Sequence, residues 1–247
     1  MSSSGHLAVA ERLLGIAPPG ALTEVVLHGG TLLATLVFFR KEIFALLVDP
    51  LSGEDDRRHA ARRELARVAV AVVPTVVLAY GIREIYEPLK KNLLLLGAAF
   101  LVTTVFLLLS RRAPRVASPG PPLRLGAAFL VGLAQGLAAV PGISRTGSTV
   151  STALLLGADP RRAATFSFLI AIPVILAANV VELASMTSGA DPVPVGPLLL
   201  GTAVAGSTGY LALHLLLRTL QRGSFSYFGV YTAILGVTLL TCGLAAG

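Results

Sequence analysis

Residues 140–151, VPGISRTGSTVS, place a proline, two glycines, five hydroxyl side chains and one arginine inside an otherwise apolar stretch. The glycines let the backbone turn and come close to a ligand, and a helix that begins here has free N–H groups at its start. A helix N-terminus, hydroxyls and a guanidinium together favour binding of a phosphate or another oxyanion. The candidate phosphate-binding residues are Arg145, Ser144, Thr146, Gly147, Ser148 and Thr149.

The alternative is a proline-kinked helix, in which the hydroxyls cap freed carbonyls and Arg145 snorkels towards water. An unpaired arginine deep in an apolar layer costs several kcal/mol, so Arg145 needs an anionic partner or an aqueous cavity. The phosphate site supplies such a partner, and we therefore favour it.

The composition of the chain indicates whether it folds in water or in a membrane. Of its 247 residues 54% are hydrophobic and only 13% are charged, and the mean hydropathy is +0.79. One soluble core could not bury so much apolar surface, so the composition indicates a membrane protein. The net charge of +7 comes from short connections between apolar runs, which disfavours nucleic acid as a partner. Cys242 is the sole cysteine, which excludes a disulfide framework or a cysteine zinc site.

Six apolar runs are long enough, at roughly 17 to 25 residues, to cross a membrane as helices. They lie near residues 21–39, 66–82, 92–109, 163–182, 196–217 and 227–246. The stretches 5–16 and 126–157 are too short or too interrupted to cross, and Pro141 with Gly142 divides the second into two halves. The sequence therefore predicts an all-α integral membrane protein with six transmembrane helices and re-entrant helix hairpins.

The basic residues orient these spans. If the first span runs from outside to inside, fifteen Lys and Arg residues fall in inside connections and four in outside connections. Cytoplasmic loops of membrane proteins typically carry an excess of Lys and Arg, so the bias indicates that the inside connections face the cytoplasm.

The start of the chain, MSSSGHLAVAERLLGI, is similar to residues 143–158, ISRTGSTVSTALLLGA. When Gly5 is aligned with Gly147, Ser2 falls on Ser144, and each copy continues into a short apolar helix that ends at a glycine. Three predicted spans separate the copies, so they would enter the membrane from opposite sides. We expect one membrane domain, 1–247, built as an inverted-topology repeat. Its halves are 1–110, whose first hairpin is incomplete, and 126–247.

The two motifs carry a family resemblance. PGISRTGST is similar to the PGxSRSGxT signature of the undecaprenyl-pyrophosphate phosphatase family, the bacterial membrane phosphatases linked to bacitracin resistance. SSSGHL resembles the SSTGHL of that family's first motif, and the similarity continues through EVVLHGGTLLATLVFFR, GLAQGLAAVPG and FSFLIAIPVILAAN. It therefore covers nearly the whole chain.

The resemblance implies hydrolysis of undecaprenyl diphosphate to undecaprenyl phosphate and inorganic phosphate. This reaction recycles the lipid carrier of peptidoglycan and other cell-wall polymers and confers bacitracin resistance. It implies Ser3 as nucleophile, His6 as general base or acid and Arg145 as the clamp on the phosphate. The residue types agree, because a serine three residues before a histidine can reach hydrogen-bonding geometry and an imidazole titrates near neutral pH. Candidate supporting residues are Ser2, Glu24 and Gln135.

The resemblance also implies a divalent cation, magnesium or calcium, as cofactor and a polyprenyl diphosphate lipid as substrate. It implies the bacterial inner membrane as location, with the site open to the outer side. A homodimer is an open alternative to a monomer.

The sequence departs from the family pattern in two places. The glutamates thought to hold the metal would precede Met1, and Gln135 stands at the matching place of the second copy. We expect the coding frame to continue upstream through roughly 20 to 25 codons, enough for the missing half-hairpin. A fragment or a degraded, inactive copy is the alternative. Near the C-terminus, the family often has Tyr-Arg where this chain has Tyr231-Thr232.

A polyprenyl-phosphate flippase remains the alternative function, because secondary transporters also use inverted repeats with broken helices. A flippase needs two alternating openings, whereas a hydrolase needs one cavity and a nucleophile. The nucleophile candidate at Ser3 favours hydrolysis.

Overall fold

The computed structural model describes residues 2–15, 21–114, 116, 119–185 and 195–245, apart from the side chains at 21, 24, 83, 87 and 185. Within these ranges the chain is helical and contains no strand. The helices are α1 (Ser3–Leu14), α2 (Ala21–Phe38), α3 (Arg40–Val48), α4 (Asp55–Ile82), α5 (Tyr86–Lys91), α6 (Leu93–Leu109), α7 (Leu125–Leu137), α8 (Arg145–Leu155), α9 (Pro160–Ser185), α10 (Val195–Gln221) and α11 (Phe228–Ala245).

The six predicted spans coincide with α2, α4, α6, α9, α10 and α11. In the described residues, five segments are long and apolar enough to cross a membrane: Asp55–Ile82, Leu93–Arg112, Pro160–Ala184, Val195–Gln221 and Phe225–Ala245. The apolar part of α2, Val25–Phe38, is shorter. The predicted all-α integral membrane protein is therefore confirmed.

The interrupted stretch 126–157 forms the predicted pair of half-length helices. α7 ends at Leu137, a turn follows, and α8 begins at Arg145. Gly142, in the turn, has a φ of 95°, which a residue with a side chain rarely adopts. α1 is also short, and a left-handed glycine follows both α1 and α8, at Gly15 with a φ of 62° and at Gly157 with a φ of 88°. The wider inverted repeat stays a prediction.

α4 begins well before the predicted span at residue 66. Its start carries Asp55 and Asp56, which favour a helix N-terminus because their negative charges are attracted to the positive end of the helix dipole. A half-buried ion pair three residues apart, Arg67 to Glu64 at 2.6 Å, supports the turns that follow. The charged residues before the predicted span therefore continue α4 towards solvent.

Three helix pairs have the most extensive contacts: α6 with α11, α4 with α7, and α2 with α10. Each pair has a glycine where the backbones approach. A Cβ atom on Gly97 would lie 2.8 Å from the carbonyl oxygen of Gly236, and one on Gly30 would lie 2.6 Å from that of Thr202. A Cβ atom on Gly132 would collide with the backbone of Ala71. Small residues thus let these helices touch, as is common in membrane bundles.

Replacing Gly132 with alanine should destabilise the protein by about 1–3 kcal/mol, because α4 and α7 would have to separate. Gly126→Ala, on the same helix, is the control, because a Cβ atom there meets nothing within 4 Å. Its effect should stay within about 0.5 kcal/mol. Thermal unfolding midpoints of the purified variants in detergent test this, and equal midpoints would contradict the close contact between α4 and α7.

Candidate active site

The turn before α8 is held by a threonine of α6. The hydroxyl of Thr103 donates to the carbonyl oxygen of Gly142 at 2.9 Å, and the N–H of Ser144 donates to that hydroxyl at 2.8 Å. Thr103 and Ser144 are both buried. One side chain thus satisfies two main-chain groups of the turn, which fixes where α8 begins.

Ser144 caps α8, because its hydroxyl accepts from the N–H of Gly147 at 3.0 Å. Ser2 caps α1 in the same way, accepting from the N–H of Gly5 at 3.4 Å. Ser2 with Ser144, and Gly5 with Gly147, are the pairs that the alignment of the two sequence copies matched. In each helix the first two N–H groups, at Ser3 and Ser4 and at Arg145 and Thr146, have no intrahelical acceptor.

The start of α1 is in direct contact with the turn that leads into α8. The hydroxyl of Ser2 also accepts from the N–H of Gly142, at 3.0 Å. A Cβ atom on Gly5 would lie 2.9 Å from the Cα atom of Gly142 and 2.8 Å from the ring of Phe100. Only glycine at position 5 allows this approach. Two helix N-termini, each with positive partial charge, therefore meet at one place.

Five polar residues stand around this meeting point. Ser3 and Arg145 are exposed, and Ser4, His6 and Thr146 are half-buried. Arg145 has no carboxylate partner among the described residues. A free guanidinium beside paired helix N-termini favours an anionic ligand.

Ser148 and Thr149 lie on the protein-facing side of α8. The hydroxyl of Ser148 donates to the carbonyl oxygens of Ser144, at 2.9 Å, and Ala134, at 3.2 Å. The hydroxyl of Thr149 donates to the carbonyl oxygen of Arg145 at 2.7 Å and is hydrogen-bonded to Ser167. These hydroxyls hold α8 against α7 and α9, and both residues are fully buried. The N–H of Gly147 is likewise used by the cap. Of the predicted phosphate ligands, Arg145 and Thr146 are therefore the accessible ones.

His6 makes two hydrogen bonds through its ring. Nδ1 lies 2.8 Å from the carbonyl oxygen of Ser2, and Nε2 lies 2.6 Å from Oη of Tyr231. Both nitrogens are thus engaged, and the expected hydrogen bond between Ser3 and His6 is not formed in this structure. The sequence drew attention to Thr232 but did not identify Tyr231 as a site residue. The sequence of an apolar helix does not show which neighbouring helix an aromatic side chain will contact.

The remaining candidates have other surroundings. Gln135 is buried, and its Nε2 donates to the carbonyl oxygen of Ile170 at 3.2 Å and to the hydroxyl of Thr75 at 3.4 Å. It therefore joins α7 to α4 and α9. Its Oε1 is buried with no hydrogen-bond partner among the described residues. The side chain of Glu24 lies outside the part of the chain that the structure describes.

The described residues do not fit a divalent cation. They contain no group of three or more His, Cys, Asp or Glu side chains that could hold a metal ion. Around the paired helix starts they offer hydroxyls, one imidazole and one guanidinium, whereas Mg²⁺ and Ca²⁺ prefer carboxylate and carbonyl oxygens.

The sequence was compared with protein families and with individual proteins. The family model described as "Bacitracin resistance protein BacA" matches residues 1–238. A protein of Desulfosudis oleivorans named undecaprenyl-diphosphatase is 37% identical, over 99% of this chain and 92% of its own length. Proteins of the same name from Desulfatibacillum aliphaticivorans and Carboxydothermus hydrogenoformans are 36% and 35% identical, each over 97% of this chain and over 91% and 89% of their own lengths. The match runs through both helix starts described above, and the chain belongs to the BacA bacitracin resistance family.

Proposed function

We propose that this protein hydrolyses undecaprenyl diphosphate to undecaprenyl phosphate and inorganic phosphate. The observation that carries the proposal is the contact between the start of α1 and the turn that leads into α8, joined through the hydroxyl of Ser2 and flanked by His6 and Arg145. The names of the relatives agree with this reaction. The description of the family as bacitracin resistance proteins is in keeping with it as well.

The terminal phosphate would sit between the two helix starts. The N–H groups at Arg145 and Thr146 and at Ser3 and Ser4 would donate to this anion, and Arg145 would add a bidentate charge. Fixed donors of this kind stabilise charge that develops during phosphoryl transfer. The polyprenyl chain remains in the lipid, beside the exposed apolar helices.

In the proposed reaction the hydroxyl oxygen of Ser3 attacks the terminal phosphorus, and its proton is taken up by His6. The bond from this phosphorus to the bridging oxygen breaks, and undecaprenyl phosphate leaves with that oxygen. Water then attacks the phosphorus of the phosphoserine and releases inorganic phosphate. A proton returns to the oxygen of Ser3, His6 gives up the proton that it had taken, and both residues are back in their starting states. Because His6 does not contact Ser3 in this structure, a small rearrangement must bring them together when the substrate binds.

The protein is a multi-pass membrane protein, and we place it in the bacterial inner membrane with this site open to the outer side. The positive-inside bias and the lipid substrate support that placement. The residues that we assign to the site lie in one chain, and a homodimer stays an expectation. Magnesium or calcium remains an expectation from the family, because the described residues offer no carboxylate set for it.

Phosphate release from undecaprenyl diphosphate, measured on the full chain in proteoliposomes with and without added magnesium, tests the proposal. Stoichiometric release of inorganic phosphate and undecaprenyl phosphate is expected. Movement of the lipid between leaflets without phosphate release would contradict hydrolysis and favour a flippase.

Arg145→Lys should lower turnover by roughly 10²-fold or more, the scale of losing one preorganised electrostatic contact. Lysine keeps the positive charge but cannot reproduce the planar bidentate geometry. Arg62→Lys, at an exposed position of α4, is the control and should keep full turnover. If Arg145→Lys kept full phosphatase activity, the phosphate would have to bind elsewhere.

His6→Ala should abolish turnover while the lipid still binds, because we assign the histidine to proton transfer. The measurements are single-turnover phosphate release and the affinity for a labelled polyprenyl diphosphate. His59→Ala, at an exposed position near the start of α4, is the control. A His6→Ala protein that turned over normally, with an unchanged unfolding midpoint, would remove the histidine from the mechanism.

A further inference from the structure

We propose that Tyr231 is a positioning residue for His6, and that its hydroxyl holds the imidazole in the orientation that presents Nε2, the unprotonated nitrogen, in a fixed direction. The consequence for catalysis rests on the function proposed above. The contact itself joins α11 to α1 across 225 residues of sequence.

The hydrogen bonds of the ring fix the tautomer. The partner of Nδ1 is the carbonyl oxygen of Ser2, at 2.8 Å, and a carbonyl can only accept. Nδ1 must therefore carry the proton. In the neutral imidazole Nε2 is then the acceptor, so the hydroxyl of Tyr231 donates to it at 2.6 Å. Nε2 is thus the atom that can take up a proton.

Two aromatic rings fix the orientation of His6. The ring of Tyr231 lies parallel to the imidazole, with an angle of 7° and 5.6 Å between centroids. The ring of Phe100 meets the imidazole edge-on, at 88° and 5.2 Å. Phe100 is fully buried on α6 and cannot give way. The imidazole is therefore held on two sides, and Tyr231 supplies both a ring contact and a hydrogen bond.

Tyr231 is itself placed by the packing of α11 on α6. The next residue, Thr232, is fully buried, and its hydroxyl lies 2.8 Å from that of Thr104. The backbones of Gly97 and Gly236 approach so closely that a Cβ atom on Gly97 would lie 2.8 Å from the carbonyl oxygen of Gly236. These contacts fix the rotation of α11, so the neighbouring tyrosine faces His6. Thr232 thus anchors this helix.

A general base must present an unprotonated nitrogen in a fixed direction. The carbonyl of Ser2 keeps the proton on Nδ1 with or without Tyr231, but without the hydroxyl of Tyr231 the direction of Nε2 is no longer fixed by a hydrogen bond. In the proposed reaction the hydroxyl of Ser3 takes the place of the Tyr231 hydroxyl at Nε2. Second partners of this kind set the aim of a functional histidine. Tyr231 would therefore affect the chemical step and leave substrate binding nearly unchanged.

Tyr231→Phe is the decisive variant, because it removes the hydroxyl and keeps the ring that stacks on His6. We expect kcat to fall by roughly 10-fold or more, within the range that proton transfer contributes, with KM nearly unchanged. Tyr227→Phe is the matched control, since that exposed tyrosine lies nearby and keeps the ring that Arg111 contacts at 5.2 Å. Tyr231→Leu removes both contacts and should be at least as slow.

The second readout does not depend on activity. The ¹⁵N chemical shifts of the imidazoles, with the His6 signals identified by their loss in His6→Ala, report which nitrogen carries the proton. The unchanged protein should show His6 protonated on Nδ1 with Nε2 accepting a hydrogen bond, and Tyr231→Phe should keep the proton on Nδ1 while the Nε2 signal moves to the position of a nitrogen without that hydrogen bond. A proton on Nε2 in the unchanged protein, or the same Nε2 shift and kcat in Tyr231→Phe, would overturn the proposal. If the protein released no phosphate at all, the proposed function would fail, and the chemical shifts would still decide the role of Tyr231.

Discussion

The structure depends on one contact, between the start of α1 and the turn that leads into α8, which brings together two helix starts that carry partial charges of the same sign. Bringing the N-termini of α1 and α8 together is unfavourable by itself, because both expose N–H groups and positive dipole ends. The hydroxyl of Ser2 offsets part of this cost by accepting from both Gly5 and Gly142. The two glycines make the approach sterically possible. The first N–H groups of both helices still lack an intrahelical acceptor, and a bound anion would supply one. This is the physical basis of the proposed phosphate site.

The rest of the bundle serves to hold that contact in place. Thr103 of α6 fastens the turn before α8, and Phe100 of the same helix lies against both Gly5 and His6. The close approach of α11 to α6 then brings Tyr231 to the histidine. α6 is therefore the common support of the phosphate site and of the proton-transfer group, so packing changes along this helix should act on both.

Much of this arrangement could be predicted from sequence, because the relevant signals are local. Apolar length predicted the spanning helices, and Pro141 with Gly142 predicted the break between α7 and α8. The alignment of Ser2 with Ser144 marked two residues that prove to be caps of the same form. The sequence could not show that Ser148 and Thr149 face inward, because a hydroxyl can serve a ligand or a carbonyl equally well. Nor could it show the contact from Tyr231 to His6, which depends on how two distant helices are rotated.

The central claim is that one anion is held by both helix starts. A structure determined experimentally with vanadate or pyrophosphate bound tests it most directly. The account predicts anion oxygens within about 3 Å of the Arg145 guanidinium and of N–H groups at the start of both α1 and α8. An anion bound to only one of the two helices, or helix starts separated by a helix length of roughly 20 Å, would contradict it.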